Sequence, residues 1–313
     1  MEFLIKINET VYEISQLVTK VSYTDKLNDG CSKLEFSLMN DNLRIQNSSI
    51  VQFKYGGSNI FYGFVFKHEM NKKGEVTVTA YDKLRYCKAK DTIQVRNVSA
   101  TDLVKTMCTR FDLSMGTITD TGYKLAPGVQ DSKTWLDIVY EGIRETLQNK
   151  SEWYVLRDEF GSISLRNISE LKLDLVLGDA SLCYGFNYGK SIDDEFYNQI
   201  KLVSDNEKTK KRDVYIVKNS ASIQRFGLLQ YFQVLDKNYN ASQAKEMANA
   251  LLGLYNQEQE TLDLDCIGDV SIRAGSSFYA QIADVGLDKK RLIVRTVTHN
   301  FLPTHTMSME VAI

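Results

Sequence analysis

Apolar and polar residues alternate along the C-terminal end of the chain, residues 291–313, as in two strands joined by a polar turn. One face of the first strand carries Ile293, Arg295, Val297, His299 and Phe301. The turn contains Pro303, which cannot donate to a ladder and therefore suits a turn better than a central strand. One face of the return strand carries Met307, Met309 and Val311. The pattern predicts a β-hairpin.

A segment near the N-terminus, residues 60–82, repeats this hairpin pattern. One face of its first strand carries Tyr62, Phe64, Phe66, His68 and Met70, and its return strand carries Val76, Val78 and Ala80. His68 precedes Met70 by two positions, as His299 precedes Phe301, and the interval to the return strand is also the same. These matches suggest one β-module used twice. The alternative is that two unrelated hairpins of this length align by chance.

The remaining periodicity predicts three modules. Residues 1–90 show short alternating strands, and Gly56-Gly57 supplies the positive φ angles that a tight hairpin needs. Residues 91–178 form a mixed module with two amphipathic helices, over residues 99–113 and from Ser132, and a hairpin at residues 152–166. Ser99 and Asp102 predict an N-terminal helix cap. Residues 179–313 return to strands, with one helix at 241–256. The predicted fold class is α+β, mainly β.

Composition excludes several function classes. The 313 residues are 43% hydrophobic, and 38 Lys and Arg against 40 Asp and Glu give a net charge of −2. We therefore expect no field that attracts nucleic acid or anionic membrane, and no apolar run reaches the roughly 18 residues of a spanning helix. The N-terminus alternates like a strand, so no secretion signal is expected. The five cysteines are scattered without a CxxC motif, which is typical of reduced thiols in a cytosolic product.

No motif for catalysis, cofactor binding or metal binding is found. His68 and His299 lie within predicted strands and His305 within a turn, and there is no HExxH, GxSxG or glycine-rich phosphate loop. Asp193–Glu195 could bind a cation, but without an EF-hand loop an exposed turn or subunit contact is the simpler interpretation. The basic run Lys208–Arg212 could contact phosphate, but is more typical of a solvated hairpin tip. We therefore predict no catalytic, cofactor-binding or metal-binding residues and no enzyme activity.

One local pattern supports a rival hypothesis. Thr92–Arg96, the following helix and Asp112–Ser114 faintly resemble a LysM glycan-binding module. The second helix of that module is missing, because Gly116–Thr119 has the pattern of a strand. A glycan-binding or receptor-binding role therefore stays open as an alternative, and a peptidoglycan hydrolase with an unfamiliar site is a further one.

A series of short phrases in a fixed order carries a broader resemblance. They are residues 76–86 (VTVTAYDKLRY), 100–104 (ATDLV), 120–123 (DTGY), 191–194 (SIDD), 197–198 (YN), 226–230 (FGLLQ), 266–269 (CIGD), 298–301 (THNF) and 305–307 (HTM). Each phrase is weak alone, but together the chain from residue 60 onward is similar to the hub protein family of contractile phage tails. The similar form is that of PBSX-like prophages and tail-like bacteriocins, related to the late control protein and to type VI secretion spikes.

The resemblance implies a structural function. In such hubs each chain contains two tube-like β-barrel modules, here 1–90 and 179–313, which flank the mixed α+β module at 91–178. Three copies then present six similar modules and adapt a sixfold tail tube to a threefold central spike. The implied partners are two further copies of the chain, the tube protein, the spike protein and other baseplate proteins. DNA would pass through the bore without specific binding, and no membrane insertion is implied. The expected location is the tail baseplate of a virion or tail-like particle made in the bacterial cytoplasm. No separate hydrolase domain is expected.

Overall fold

The computed structural model describes residues 1–39, 43–179, 181–193, 195–206, 210–235 and 240–313. The chain forms two compact units, residues 1–187 with 262–313, and residues 188–261. Strands take 50% of the described residues and helices, with 3₁₀ helices included, 21%, which confirms the α+β, mainly β class. The division into modules at residues 90 and 178, and the closure of two barrels, stay predictions. The predicted module 179–313 contains residues of both units.

The larger unit begins with seven strands. They are β1 (Glu2–Ile7), β2 (Thr10–Glu13), β3 (Val18–Lys26), β4 (Lys33–Met39), β5 (Ile50–Tyr55), β6 (Ser58–Met70) and β7 (Glu75–Tyr81). Six of them pair in the antiparallel order β3-β4-β7-β6-β5-β1, and β2 pairs with the outer edge of β1. Their inward faces form one core that contains Phe3, Val21, Leu34, Phe36, Val51, Phe53, Val65 and Val78. The predicted turn at Gly56-Gly57 is confirmed, with φ of +56° and +83°.

The next segment carries the first two α-helices. It contains β8 (Lys90–Val95), α1 (Ala100–Arg110), β9 (Met115–Ile118), β10 (Gly128–Thr134), α2 (Trp135–Lys150), β11 (Tyr154–Asp158) and β12 (Ile163–Asn167). The predicted cap of α1 is confirmed, because Ser99 Oγ accepts from Asp102 N while the Asp102 carboxylate accepts from Ser99 N. A second core lies between the helices and contains Leu103, Val104, Met107, Leu136, Val139, Ile143, Leu156 and Leu165. A short 3₁₀ helix at Lys83–Lys88, which the strand pattern did not predict, precedes this segment.

The chain then forms β13 (Lys172–Gly178) and β14 (Cys183–Ser191), which belong to the same large sheet as β1–β7. The smaller unit follows. Its elements are β15 (Gln199–Asn206), β16 (Lys211–Lys218), α3 (Ser220–Phe226), β17 (Gln230–Val234) and α4 (Ala241–Tyr255). The sheet order is β16-β15-β17, and one face packs on α4 through a core that contains Ile200, Leu202, Leu235, Ala244 and Ala248. The predicted helix at 241–256 is thus confirmed.

Four strands complete the large sheet: β18 (Gln259–Ile267), β19 (Ser277–Ile282), β20 (Leu287–Asn300) and β21 (Thr306–Ala312). β20 and β21 form the predicted C-terminal hairpin. The predicted face of its first strand is partly wrong, because a β-bulge at Arg295 shifts the register between Val294 and Thr296. The extra residue reverses the inward face, so Val294 is buried before the bulge and Val297 and His299 after it.

Candidate assembly site in the repeated sheet

The two predicted hairpins lie in two groups of six strands with the same connectivity. The first group has the spatial order β3-β4-β7-β6-β5-β1, and the second has the order β14-β18-β21-β20-β19-β13. If the strands of each group are numbered along the chain, both groups have the order 2-3-6-5-4-1. We call them repeat 1 and repeat 2. One difference is that β1 is antiparallel to β5, whereas β13 is parallel to β19.

Irregular backbone features match as well. In repeat 1, Ser48 N donates to Val65 O at 2.8 Å and Val65 N donates to Ser49 O at 2.9 Å. In repeat 2, Gly275 N donates to Val294 O and Val294 N to Ser276 O, both at 2.9 Å. A bulge follows at once in each long strand, between Val65 and Lys67 and between Val294 and Thr296. A loop contact and a bulge at the same place indicate that the two repeats share one backbone plan.

The backbone contact just before strand 2 is also the same in the two repeats. Met39 N donates to Leu17 O at 3.3 Å, and Ile267 N donates to Leu182 O at 2.9 Å. The ladders place Met39 next to Leu38 and Ile267 next to Cys266 at corresponding ends of β4 and β18. Leu17 and Leu182 therefore occupy the same position, immediately before β3 and β14.

The predicted match between His68 and His299 is wrong by two residues. His68 pairs with Val78 and Met70 with Val76, whereas His299 pairs with Met307. Since Val76 and Met307 correspond, His299 takes the place of Met70. The physical reason is the turn, which is two residues longer in the second hairpin, so equal spacing in the sequence does not mean equal position in the ladder.

The repeats join where β3 pairs with the second half of β20. The ladder runs from Ser22 opposite Asn300 to Lys26 opposite Thr296, and we call it the junction. Thr24 Oγ1 and Thr298 Oγ1 lie 3.1 Å apart across it. Two backbone bonds bracket the ladder, from Leu27 N to Arg295 O at 2.8 Å and from Phe301 N to Val21 O at 3.0 Å. The junction is thus a regular antiparallel pairing between strand 2 of repeat 1 and strand 5 of repeat 2.

A buried ion pair lies beside the junction. Arg273, in the loop between β18 and β19, donates from Nε to Asp25 Oδ2 of β3 at 2.9 Å and from Nη1 to Asp158 O at 3.0 Å. Burial disfavours the charge on Arg273, but Asp25, together with Tyr23 and Asp158, outweighs burial and holds the arginine pKa above its ordinary value. The pair therefore links the β18–β19 loop of repeat 2 to β3, strand 2 of repeat 1.

His299 and His305 form a series of hydrogen bonds beside the Arg273–Asp25 pair. His299 Nε2 lies 2.9 Å from the carbonyl of Ile272, so Nε2 carries the hydrogen, and Nδ1 then accepts from His305 Nε2 at 3.0 Å. Burial lowers the pKa of His299 to about 4 and also lowers the pKa of His305. His68 lies elsewhere, on the exposed end of β6, with Nδ1 3.1 Å from Asn47 Oδ1. Both nitrogens of His299 are thus held in fixed hydrogen bonds within a neutral pair.

A buried carboxylate pair, Asp82 and Asp158, lies just after β7 and was not predicted from the sequence. Asp82 accepts from Ser32 N at 2.8 Å, from Ser32 Oγ at 2.6 Å and from Leu84 N at 2.9 Å. Burial, with the nearby charge of Asp158, raises the pKa of Asp82 to about 8, and burial raises that of Asp158 to about 6. Asp158 accepts from Lys83 N at 3.3 Å, so the pair ties the 3₁₀ helix after β7 to the turn of the β11–β12 hairpin.

The outward face of the joined repeats is polar across seven adjacent strands, from β18 to β6. One row of directly opposed residues runs Asp265, Ser308, Thr298, Thr24, Lys33. Ser308 Oγ donates to Asp265 Oδ1 at 2.6 Å within this row. Other members of the polar face are Ser22, Lys26, Glu35, Lys67, Glu69, Thr77, Thr79, Asp263, Thr296 and Glu310. The other face of the same strands is mostly buried and apolar, except at the end of β6, where His68 and Met70 are exposed.

Other candidate residues give little chemistry. Within the described ranges, no group of three or more His, Cys, Asp or Glu side chains could hold a metal ion. Asp194 of the acidic run and Lys208 and Thr209 of the basic run lie outside the described residues. Arg212, at the end of the basic run, pairs with Asp205 at 2.9 Å. Of the helices that the structure describes, none combines the length and apolarity needed to cross a membrane.

Comparison with known proteins places these features in a family. A model of the family described as YQBQ-like matches residues 21–312. The chain belongs to the YQBQ-like family. It is 28% identical over 271 residues to the uncharacterized protein YqbQ of Bacillus subtilis (strain 168), and 26% identical over 271 residues to the phage-like element PBSX protein XkdQ of the same strain. Each alignment covers 85% of this chain and 82% of the relative. The resemblance to PBSX-like prophage proteins is thereby confirmed.

Solved structures show the same fold at low identity. A 43 kDa tail protein of prophage MuSo2 from Shewanella oneidensis matches with a TM-score of 0.71 at 13% identity, over 100% of this chain and 98% of that one. A tail protein from Neisseria meningitidis MC58 matches with a TM-score of 0.69 at 11% identity, over 99% of this chain and 95% of that one. The fold of this chain is therefore that of phage tail proteins.

Proposed function

We propose that this chain is a structural, non-enzymatic baseplate hub of a contractile tail, and that three copies form a ring between a sixfold tail tube and a threefold central spike. The observation that carries the proposal is the repeat. A ring of three chains matches a ring of six only if each chain presents the docking unit twice, and repeats 1 and 2 share strand order, bulge and loop contacts.

The relatives support this assignment. XkdQ is a protein of the phage-like element PBSX, and the two structural matches above are named as tail proteins rather than as enzymes. An Escherichia coli protein, c3393, with a TM-score of 0.56 at 11% identity over 98% of this chain and 76% of that one, is described as a type VI secretion component similar to bacteriophage T4 tail proteins gp27 and gp5. The proposed partners are the tube protein, the spike protein and other baseplate proteins.

The polar face supports a bore. A sheet with one apolar face and one hydrophilic face can close into a ring that has a wet surface and a dry core. Acidic groups such as Asp263, Asp265 and Glu310 stand among basic groups such as Lys26 and Lys67, and both signs are solvated. We propose that this face lines the channel, where mixed charge lets DNA pass without specific binding. Assembly of the virion or tail-like particle in the bacterial cytoplasm follows from the same role.

Copy number and position in assembled particles test the proposal. Electron microscopy of particles with a tagged chain should show three copies on the tail axis, in a ring with a threefold outline and a sixfold rim. Six or more copies at the periphery would overturn the hub and favour receptor or glycan binding. Purified chain should give no lysis zone in a peptidoglycan zymogram, and a clear zone would overturn the non-enzymatic assignment.

A further inference from the structure

Within one chain, each repeat pairs with the other through a different edge strand, so one edge of each repeat is left for a contact with another copy. The inference drawn from these two edges rests on the proposed ring. Strand 2 of repeat 1, β3, pairs with strand 5 of repeat 2, β20. Strand 2 of repeat 2 is β14, and it ends the order of described strands, with β18 as its neighbour. Strand 5 of repeat 1 is β6. If the same contact between a strand 2 and a strand 5 also forms between two chains, then β14 and β6 are the strands that form it.

The register of β14 follows from its contacts with β18. An ideal Cβ on Gly185 lies 3.6 Å from Asp265 Cβ, and one on Gly189 lies 2.9 Å from Thr261 Oγ1. Lys190 Nζ lies 2.7 Å from Glu260 Oε1. Partner numbers fall as strand numbers rise, so the pairing is antiparallel, like that of β3 with β4. With Leu182 in the place of Leu17, Tyr188 takes the place of Tyr23.

The end of β6 has the place that the junction half of β20 has. In both strands a bulge follows the contact with the preceding loop, and the residues beyond it pair with the return strand. Lys67 therefore corresponds to Thr296, and Glu69 to Thr298. Among the described residues, the ladder of Lys67–Glu69 is with β7 alone, whereas Thr296–Thr298 pairs with both β21 and β3. The loop contact at Val65 is no obstacle, because the same contact at Val294 coexists with β3.

We propose that β14 of one copy pairs antiparallel with the end of β6 of the next copy, and that this strand pairing closes the ring. Carried over from the junction, the register sets Ser191 opposite the neighbouring copy's Lys67 and Gly189 opposite the neighbouring copy's Glu69. The contact is head-to-tail, because different edges of each copy meet, and such contacts form a closed ring when the rotation between copies closes.

The side chains suit this partner. Tyr184 is 64% exposed and Phe186 is 38% exposed, so β14 is an edge strand with apolar surface, a kind that soluble proteins ordinarily cover. Lys190 would lie directly opposite the neighbouring copy's His68, as Asp25 lies opposite Val297 at the junction. Tyr188 would face the neighbouring copy's Met70, whose side chain is 65% exposed here. The corresponding pair at the junction is Tyr23 with His299, whose rings stack with centroids 6.3 Å apart.

Paired cysteines test the register. The variant Lys67→Cys with Ser191→Cys joins positions that correspond to Thr296 and Lys26, a pair without mutual backbone hydrogen bonds, where side chains come closest. Mild oxidation of the purified chain, and of tail particles that contain it, should shift most of the chain to a covalent trimer on a denaturing gel. Wild type, with its five free cysteines, gives the background. The matched control is Lys67→Cys with Asn187→Cys, whose thiols would lie about 13 Å apart along the strands, beyond disulfide reach.

A second variant tests the pairing itself. Tyr188→Pro removes a backbone donor that, by analogy with Tyr23, points to the outer edge of β14 and not to β18, and the variant should stay monomeric with an unchanged circular dichroism spectrum. A trimer in which the thiols introduced at positions 67 and 191 cross-link no more than those of the control overturns the interface and leaves the hub. Cross-linked open polymers support the pairing and count against the closed ring. A chain that is monomeric in solution and present as one copy in each particle overturns both the strand pairing and the trimeric hub.

Discussion

Arg273 and Asp25 lie 248 residues apart in the chain, yet Arg273 Nε donates to Asp25 Oδ2 at 2.9 Å beside the junction of the two repeats. Their side chains are 18% and 6% exposed. Because removal of one partner leaves the other charge buried and uncompensated, the intact pair should stabilise the junction.

We predict that Arg273→Met lowers the free energy of unfolding of the chain by about 3–5 kcal/mol. Urea unfolding followed by circular dichroism measures the change. Replacement of both partners, Arg273→Met with Asp25→Leu, should recover most of the loss, because no lone charge remains buried. The control Arg212→Met breaks an ion pair whose side chains are 52% and 62% exposed and should cost less than about 1 kcal/mol. Equal losses of unfolding free energy in Arg273→Met and Arg212→Met would contradict a stabilising role of the buried pair.

The buried histidine predicts a dependence of stability on pH. Burial lowers the folded-state pKa of His299 to about 4, from 6.5. In this range the unfolded chain binds a proton and the folded chain does not, so the His299 contribution is complete above pH 6.5. It is lost as pH falls from 6.5 to about 4, by about 3 kcal/mol in all. His299→Gln should remove this part of the pH dependence.

The measurement must be a difference between variants, because other groups act in the opposite direction. The raised pKa values of Asp82 and Asp158 mean that the stability these carboxyls contribute is present at low pH and lost as pH rises toward 8. We therefore compare melting temperatures of wild type, His299→Gln and the exposed control His68→Gln between pH 7 and pH 4.5. A curve for His299→Gln parallel to that of wild type would show that His299 does not titrate differently on unfolding.

Glycine substitutions should have opposite signs at two positions. Gly253 lies in α4, and an ideal Cβ there meets no heavy atom within 4 Å, so Gly253→Ala should stabilise the smaller unit by about 0.5–1 kcal/mol through backbone entropy. At Gly268 the same atom would lie 2.2 Å from His305 Cδ2, so Gly268→Ala should displace the His299–His305 pair and destabilise the larger unit. Calorimetry of both variants checks the signs. A Gly268→Ala chain as stable as wild type would mean that the histidine pair can move freely.

Local patterns were enough to predict several elements, because their causes lie within a few residues. The Ser99–Asp102 cap, the turn at Gly56-Gly57 and the α4 helix all depend on neighbouring side chains or on glycine φ angles. The polar side of the sheet follows from strict alternation for the same reason.

Long-range features could not be predicted in this way. The bulge at Arg295 lies next to a long-range loop contact at Val294, and it reversed the expected face of β20. Asn28 donates from Nδ2 to Tyr154 O at 2.8 Å and accepts from Leu156 N at 2.9 Å, across more than 120 residues. The longer second turn moved His299 away from the place of His68. Sequence spacing carries none of this information, because the ladder partner and not the residue number defines a position in a sheet.

The channel role predicts a gain of DNA binding when the charge of the polar face is reversed. We expect the wild-type ring to bind double-stranded DNA weakly. The triple variant Glu35→Lys, Asp263→Lys and Glu310→Lys makes the face basic, and lysines that neutralise phosphates give an affinity that falls steeply with salt. Fluorescence anisotropy at two salt concentrations measures this. The control carries the same charge change at exposed positions that are not among the residues of this face, as Glu9→Lys, Glu246→Lys and Asp288→Lys. Because DNA inside a channel touches only its lining, slower DNA passage in particles should accompany the first variant and not the second. If both variants bind and eject DNA alike, this face does not line the channel.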